Sequence, residues 1–353
     1  ELFNLENAEA LLTKYCKKDE RAMKIELITP ARGARVSLLT AMQRSFIDQA
    51  GQPESADAQP IDFLNLNRSE GEDCSLGAGV VLAWRGTSGR CRVVLRCRAE
   101  TWTFDGDAQT LTVRNLRAGE RYDWSVCSDG QEAGSWFETE NTLPRFIHLD
   151  GDTNVRDLGG WPTATGRVRQ GLIYRGSEFD RHMQLSPRGL DELLHRLRVR
   201  TDLDLREETQ TPGLDTPAVQ WVHQPLSAYA SLSQPDQLRA YGAVFRTLLR
   251  EELYPIYVHC WGGADRTGCL CYLLQALLGV REEHLLLDYE ITSLSVWGKR
   301  SRTSEPFEQF MAVLDAYAPR SDAPQRRAER FWQAAGITPE EMNAFRRLML
   351  EDA

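Results

Sequence analysis

A chain of 353 residues is too long for one small core and suits two domains of ordinary size. Its 42% hydrophobic and 26% charged content is that of a globular protein, and no apolar run approaches the roughly 18 residues of a membrane span. The net charge of −9 argues against a nucleic-acid or anionic-membrane surface as the main partner, although a local cradle for a small anion stays compatible with it.

Residues 1–23 are predicted to hold an amphipathic helix, because Leu5, Ala8, Leu11, Leu12 and Tyr15 recur at helical spacing after Asn4. They contain no signal-peptide apolar core, and a secreted or periplasmic protein would need a leader removed beforehand. From Ile25 to about Thr142 the texture changes to short β runs. Val80 to Trp84, Cys91 to Cys97, Thr110 to Val113 and Tyr122 to Val126 read as strands, with Arg85-Gly86-Thr87-Ser88-Gly89 as the turn between the first two. Residues 41–78 read as a long polar, exposed excursion.

The stretch from Leu111 to Trp124 carries Val113, Leu116, Gly119, Tyr122 and Trp124. It resembles the L-x-x-L-x-x-G-x-x-Y-x-W run of fibronectin type III domains. That resemblance implies an all-β sandwich over residues 24–142, which reads as a spacer or protein-docking module or as a wall of the active site.

Beyond Thr142-Leu143-Pro144-Arg145 helix and strand alternate, so residues 143–353 are expected to form an α/β domain. Ser186-Pro187 is an N-cap followed by proline at the first helical position, with Leu190, Leu193, Leu194 and Leu197 as the buried stripe. Val199 to Leu205 and Pro255 to His259 read as strands, Thr267 to Leu278 as an apolar helix, and Thr338-Pro339-Glu340-Glu341 as a helix start.

The chemistry lies in Val258-His259-Cys260-Trp261-Gly262-Gly263-Ala264-Asp265-Arg266-Thr267-Gly268. A cysteine and an arginine with five residues between them sit between a strand and a helix. Small residues at Gly262, Gly263 and Ala264, beside Trp261, let successive backbone N–H groups turn inward as a nest, and the helix N-terminus adds its dipole. Arg266 can clasp two phosphoryl oxygens. The same field favours the Cys260 thiolate, a nucleophile for in-line attack on phosphorus. Thr267 can donate its hydroxyl to the sulfur as it leaves. His259 is expected to hold the loop's shape.

This segment resembles the H-C-x-x-G-x-x-R-[ST] signature of the protein tyrosine phosphatase superfamily. A second segment, Asn154-Val155-Arg156-Asp157-Leu158-Gly159-Gly160 followed by Gly171-Leu172-Ile173-Tyr174-Arg175-Gly176-Ser177, is similar to the opening of its bacterial branch, which includes dual protein and lipid phosphatases. Here Gly176 is inserted before the serine. Asp202 to Glu208 looks like that branch's D-L-R-x-x-x-E strand end.

Hydrolysis needs one carboxyl group to protonate the leaving oxygen and then activate water. Asp236 and Asp215 stand 24 and 45 residues before Cys260. The bacterial branch resembles this chain in carrying aspartate beside the loop arginine, which makes Asp265 the leading general acid, with Asp236 and then Asp215 as alternatives. The other reading of Asp265 is a structural carboxylate that orients Arg266 or caps the helix.

Arg156 and Asp157 read either as braces of the pocket or as an internal Arg–Asp pair. Arg175 reads as a phosphate contact or a strand closure, and Arg206 as an ion-pair partner. Cys269 and Cys271 read as core packing. The eight cysteines contain no C-x-x-C pair and the histidines lack metal spacing, so no metal, cofactor or disulfide framework is expected, and a reducing compartment is favoured.

The branch often has lysine before the loop aspartate, a charge associated with phosphoinositides. Ala264 stands there instead, beside Trp261. Both departures favour an aryl phosphate such as phosphotyrosine in a protein or small phosphomonoester. Lys299, Arg300 and Arg302 could compensate, which keeps an inositol phosphate as the alternative. A phosphate-recognising pseudoenzyme is the reading from another class.

Overall fold

The computed structural model describes residues 24–50, 72–87 and 89–352. The helix expected within 1–23 lies outside them. The chain separates into two compact units. One holds the chain up to Val36, Val80–Val113 and Gly119–Glu140; the other holds Ser37–Gly79, Arg114–Ala118 and Asn141–Ala353. Two segments of the expected 24–142 domain thus cluster with the α/β unit.

The first unit is built from β1 (Glu26–Thr29), β2 (Ala34–Val36), β3 (Val80–Arg85), β4 (Cys91–Arg96), β5 (Thr101–Gly106), β6 (Thr110–Val113), β7 (Arg121–Ser128) and β8 (Gln131–Thr139). They form a three-stranded sheet, β1-β3-β6, and a five-stranded sheet, β2-β8-β7-β4-β5. Alternation gives each sheet one apolar face: Val80, Leu82 and Trp84 on β3, Val93 and Leu95 on β4, and Tyr122, Trp124 and Val126 on β7 are all buried. Tyr122 stacks between Trp102 and Phe137, with ring centroids at 5.9 and 5.5 Å. Strands β5 and β8 escaped the sequence reading because they are mostly polar, β5 burying only Trp102. Their backbones are held by long antiparallel ladders with β4 and β7.

In the second unit, the described parts of the expected excursion over 41–78, residues 41–50 and 72–78, are not wholly exposed as their polarity suggested. Helix α1 (Ala41–Ala50) starts with a capping box, in which Thr40 Oγ1 accepts from Gln43 N–H at 3.2 Å and Gln43 Oε1 accepts from Thr40 N–H at 3.0 Å. Gln43 and Phe46 are fully buried, and so are Ser75 and Gly77 further on. Polar residues here are interior because each has a partner.

The core of this unit is a five-stranded sheet. Its strands are β9 (Arg156–Asp157), β11 (Ile173–Gly176), β12 (Thr201–Asp204), β13 (Gln220–His223) and β14 (Ile256–His259), in the order β13-β12-β14-β11-β9; β10 (Gly166–Val168) pairs elsewhere, with the terminal β15 (Leu350–Asp352). The first four of that order are parallel and only β9 is antiparallel. Helices α2 (Pro187–Asp191), α3 (Pro235–Thr247), α4 (Arg266–Leu277), α5 (Glu282–Glu290), α6 (Glu305–Asp315), α7 (Pro324–Ala334) and α8 (Pro339–Met349) accompany it. Ser186 caps α2 as expected, accepting from Gly189 N–H at 3.1 Å, and the chain continues through a π-helical turn. Thr338 and Glu341 make the full capping box of α8. Helix α4 is buried on every face from Thr267 to Leu277, as an apolar helix beside a parallel sheet must be.

Central β14 runs directly into Cys260, and α4 begins at Arg266. The loop between them therefore lies at the carboxyl ends of parallel strands, where open α/β sheets hold ligands.

Candidate active site

Cys260 is buried at the mouth of that loop, and four of the loop's carbonyls have hydrogen-bond partners. His259 Nδ1 is 3.0 Å from the Cys260 carbonyl. Glu178 N–H donates to the Trp261 carbonyl at 2.8 Å, Asn154 Nδ2 to that of Gly262 at 2.7 Å, and Arg175 to that of Gly263 at 2.7 Å. In a trans peptide the C=O and the following N–H point in opposite directions. Four pinned carbonyls thus turn the N–H groups of Trp261, Gly262, Gly263 and Ala264 away from the scaffold, the arrangement of an anion nest.

Two glycines allow this close approach. Gly263 has φ +61°, and a Cβ on it would stand 2.0 Å from the Gly176 carbonyl; a Cβ on Gly176 would meet the Tyr257 hydroxyl at 1.9 Å. The glycine inserted before Ser177 is therefore a packing requirement of the loop.

A tyrosine phosphatase family profile matches residues 147–351, more than half of the chain. The chain belongs to the tyrosine phosphatase family. A Cupriavidus necator protein named "putative tyrosine-protein phosphatase" is 29% identical over 175 residues, a match covering 40% of this chain and 61% of that protein. The chain thus spans less than two thirds of that relative. Among solved structures, the catalytic domain of the PP-IP phosphatase SIW14 from S. cerevisiae is 17% identical, with 48% of this chain and 91% of that one covered and a TM-score of 0.31. TpbA from P. aeruginosa is 19% identical, with 43% and 96% covered and a TM-score of 0.28.

Two groups of buried charges lie around the loop. His259 Nε2 lies 2.8 Å from Asp202, with Asp204 at 4.0 Å. Burial works against a charged imidazole, but these carboxylates outweigh it and raise its pKa to about 9. An imidazolium thus sits directly before Cys260. The second group is Asp288, which takes Arg156 at 2.8 Å and Arg175 at 2.6 Å, all three buried.

Arg156 and Asp157 do not pair with each other. Neighbouring strand residues face opposite ways, and Asp157 binds Arg145 at 2.8 Å instead. Arg175 braces the Gly263 carbonyl as well as Asp288. Arg206 is an ion-pair partner, held by Glu178, Asp180 and Asp204 at 2.6–2.8 Å.

Arg266 points one guanidinium nitrogen at Glu208, 3.0 and 3.2 Å from its two oxygens. Thr267 Oγ1 is buried without a hydrogen-bond partner, so the bond expected to the Cys260 sulfur is not made in this structure. Asp265 precedes α4 but makes no side-chain cap; its carboxylate takes Arg300 at 2.8 and 3.1 Å and the Tyr229 hydroxyl. Tyr229 has φ +57°, a strained backbone for an aromatic residue, and its hydroxyl also meets that of Tyr289 at 3.0 Å. Asp236 is exposed in the first turn of α3, and Asp215 is exposed in the loop before β13.

Of the basic cluster, Arg300 is committed to Asp265 and Arg302 to Glu290 at 2.5 Å. Cys269 and Cys271 are buried, and burial pushes both thiols up, that of Cys271 to about 11. Among the described residues no group of histidine, cysteine and carboxylate side chains could hold a metal, and no cysteine is paired. No helix there is long and apolar enough to cross a membrane.

The sequence reading missed Asp288, Glu178, Tyr229, Trp297 and Ser75. Trp297 stacks over Gly262, whose Cβ would meet the indole at 2.9 Å, and donates to Ser177 Oγ at 2.6 Å. None of these has a local signal, since each reaches the loop from a distant element.

Proposed function

We propose that this chain hydrolyses phosphate monoesters through a cysteinyl-phosphate on Cys260, without a metal, and that protein phosphotyrosine is its preferred substrate. The observation that carries this reading is the set of four loop carbonyls held from behind, next to a cysteine flanked by an imidazolium. Cys260 Sγ attacks phosphorus, the P–O ester bond breaks, and Asp265 gives the leaving oxygen its proton. Water then attacks, Asp265 takes a proton from it, the S–P bond breaks and inorganic phosphate leaves. Arg266 would leave Glu208 to clasp the phosphoryl oxygens, and Thr267 has a free hydroxyl with which to receive the departing thiolate.

An aryl substrate is favoured by the aromatic rim. Exposed Trp261 meets His182 edge-on at 4.7 Å, and His182 meets Trp297 at 5.9 Å. A highly phosphorylated inositol is disfavoured because Arg300 and Arg302 already have carboxylate partners. The sheet order and alternating burial of the first unit support a fibronectin type III-like sandwich, for which we infer a role in docking protein substrates.

Phosphate release is to be measured from a phosphotyrosine peptide, a phosphoserine peptide and an inositol polyphosphate, with chelator present. The phosphotyrosine peptide is expected to lead by about tenfold or more in kcat/KM. Release only from the inositol ester would overturn the substrate, and loss on chelation would overturn the mechanism. Asp265→Asn is expected to slow hydrolysis of an alkyl phosphate by about 100-fold, with little change for a p-nitrophenyl ester whose leaving group needs no proton. An equal fall on both esters would remove Asp265 from the acid role, and the same comparison with Asp236→Asn tests the alternative.

A further inference from the structure

The catalytic loop is supported by a segment that lies outside the family match. Asn154 holds the Gly262 carbonyl and is itself in the left-handed region at φ +62°, uncommon for a residue with a side chain. Its own N–H donates to Ser75 Oγ at 2.8 Å, a bond that spans 79 residues of sequence and is buried at both ends. Ser75 Oγ in turn donates to Asp73 at 2.6 Å, which also takes the Ser75 N–H at 2.8 Å, and lies 3.2 Å from Thr153 Oγ1.

Four further contacts fix the segment. Gln43 Nε2 donates to the carbonyls of Cys74 and Leu76, both at 2.9 Å. Cys74 N–H donates to the Leu294 carbonyl at 2.8 Å. Gly77 lies so close to Phe146 that a Cβ would stand 2.5 Å from the Phe146 carbonyl oxygen.

We infer that Ser75 is a positioning residue of the phosphate loop, acting through Asn154 on the peptide between Gly262 and Gly263. This rests on the phosphatase reading of the loop. The route is physical. Asn154 donates to Gly262 from a left-handed backbone, with Arg156 holding its Oδ1, and the Ser75 hydroxyl accepts its buried N–H. Without that acceptor Asn154 can relax, the Gly262 carbonyl is released, and the Gly263 N–H loses its fixed direction. Oriented backbone donors matter because they need no reorganisation when charge develops on the phosphoryl oxygens.

The test uses the full chain and two readouts, kcat/KM on an aryl phosphate and the affinity for inorganic phosphate. Ser75→Ala is expected to lower both by about tenfold, the size of one buried hydrogen bond. Ser75→Cys, nearly isosteric but a weaker acceptor, is expected to fall between, and serves if the alanine variant does not fold. Combining Ser75→Ala with Asn154→Ala separates positioning from general loosening. If Ser75 acts through Asn154, the double variant is no worse than Asn154→Ala alone, whereas multiplied losses overturn the route. Unchanged phosphate affinity in both Ser75 variants also overturns the inference. A wild-type chain that releases no phosphate from any ester would instead sink the functional reading.

Discussion

Replacing Cys260 with serine is expected to abolish phosphate release, by about 10⁴-fold or more, while phosphate is still bound. The size follows from losing the covalent route, because a serine hydroxyl is a far weaker nucleophile than a cysteine sulfur. His259 faces the Cys260 carbonyl and is held charged by Asp202, and the loop's pinned carbonyls leave their N–H groups directed elsewhere. None of these features involves the sulfur, so the cradle should survive the exchange. The variant is therefore expected to bind a phosphotyrosine peptide and not turn it over. Single-turnover assays with a phosphate sensor, beside calorimetric titration of the peptide, measure both halves. Activity within tenfold of wild type would show that Cys260 is not the nucleophile, and lost binding would show that the sulfur holds the loop together.

The loop and its flanks were legible because their constraints are local. A strand of Ile256, Tyr257, Val258 and His259 leading into Cys260, small residues at Gly262, Gly263 and Ala264, and a helix starting at Arg266 state the nest within one short run. Ser186 and Thr338 were legible for the same reason, since a cap and its bonded N–H lie three residues apart. Thr40-Ala41-Met42-Gln43 carries an equally local signal, a capping box, that the polar composition of residues 41–78 obscured.

What stayed hidden depends on the fold bringing distant residues together. Arg156 and Asp157 look like a pair in sequence, yet the strand sends them to opposite faces, one to Asp288 and the other to Arg145. Arg300 stood out as part of a basic run, but not as the partner of Asp265. Ser75 belongs to no recognisable motif at all. Its meaning comes from a single hydrogen bond to a residue in the next part of the fold.

Asp288→Asn is expected to destabilise the chain by about 3–5 kcal/mol, the cost of leaving buried cations without their counter-ion. Asp288 is the shared carboxylate of Arg156 and Arg175, all three nearly inaccessible to solvent. Burial, with Arg175 adding repulsion, already lowers the Arg156 pKa to about 10, so removing the carboxylate leaves two like charges facing each other in a poor solvent. Arg175 also holds the Gly263 carbonyl, so phosphate affinity should fall along with stability. The exposed Arg85–Glu26 pair gives the contrast, and Glu26→Gln should leave the unfolding midpoint unchanged. Urea denaturation of each variant measures these differences. The pH dependence supplies a separate check. Burial opposes ionisation of Asp288, but the two guanidinium groups outweigh it and hold its carboxyl below the ordinary value of 3.8. A carboxyl depressed on folding contributes stability that is present above its unfolded value and is lost as pH falls through the folded one. Wild-type stability should therefore decline on acidification below about pH 4, and Asp288→Asn should remove that share of the slope. An asparagine variant with wild-type stability and an unaltered acid limb would mean that the two arginines find other partners and that Asp288 does not organise the loop.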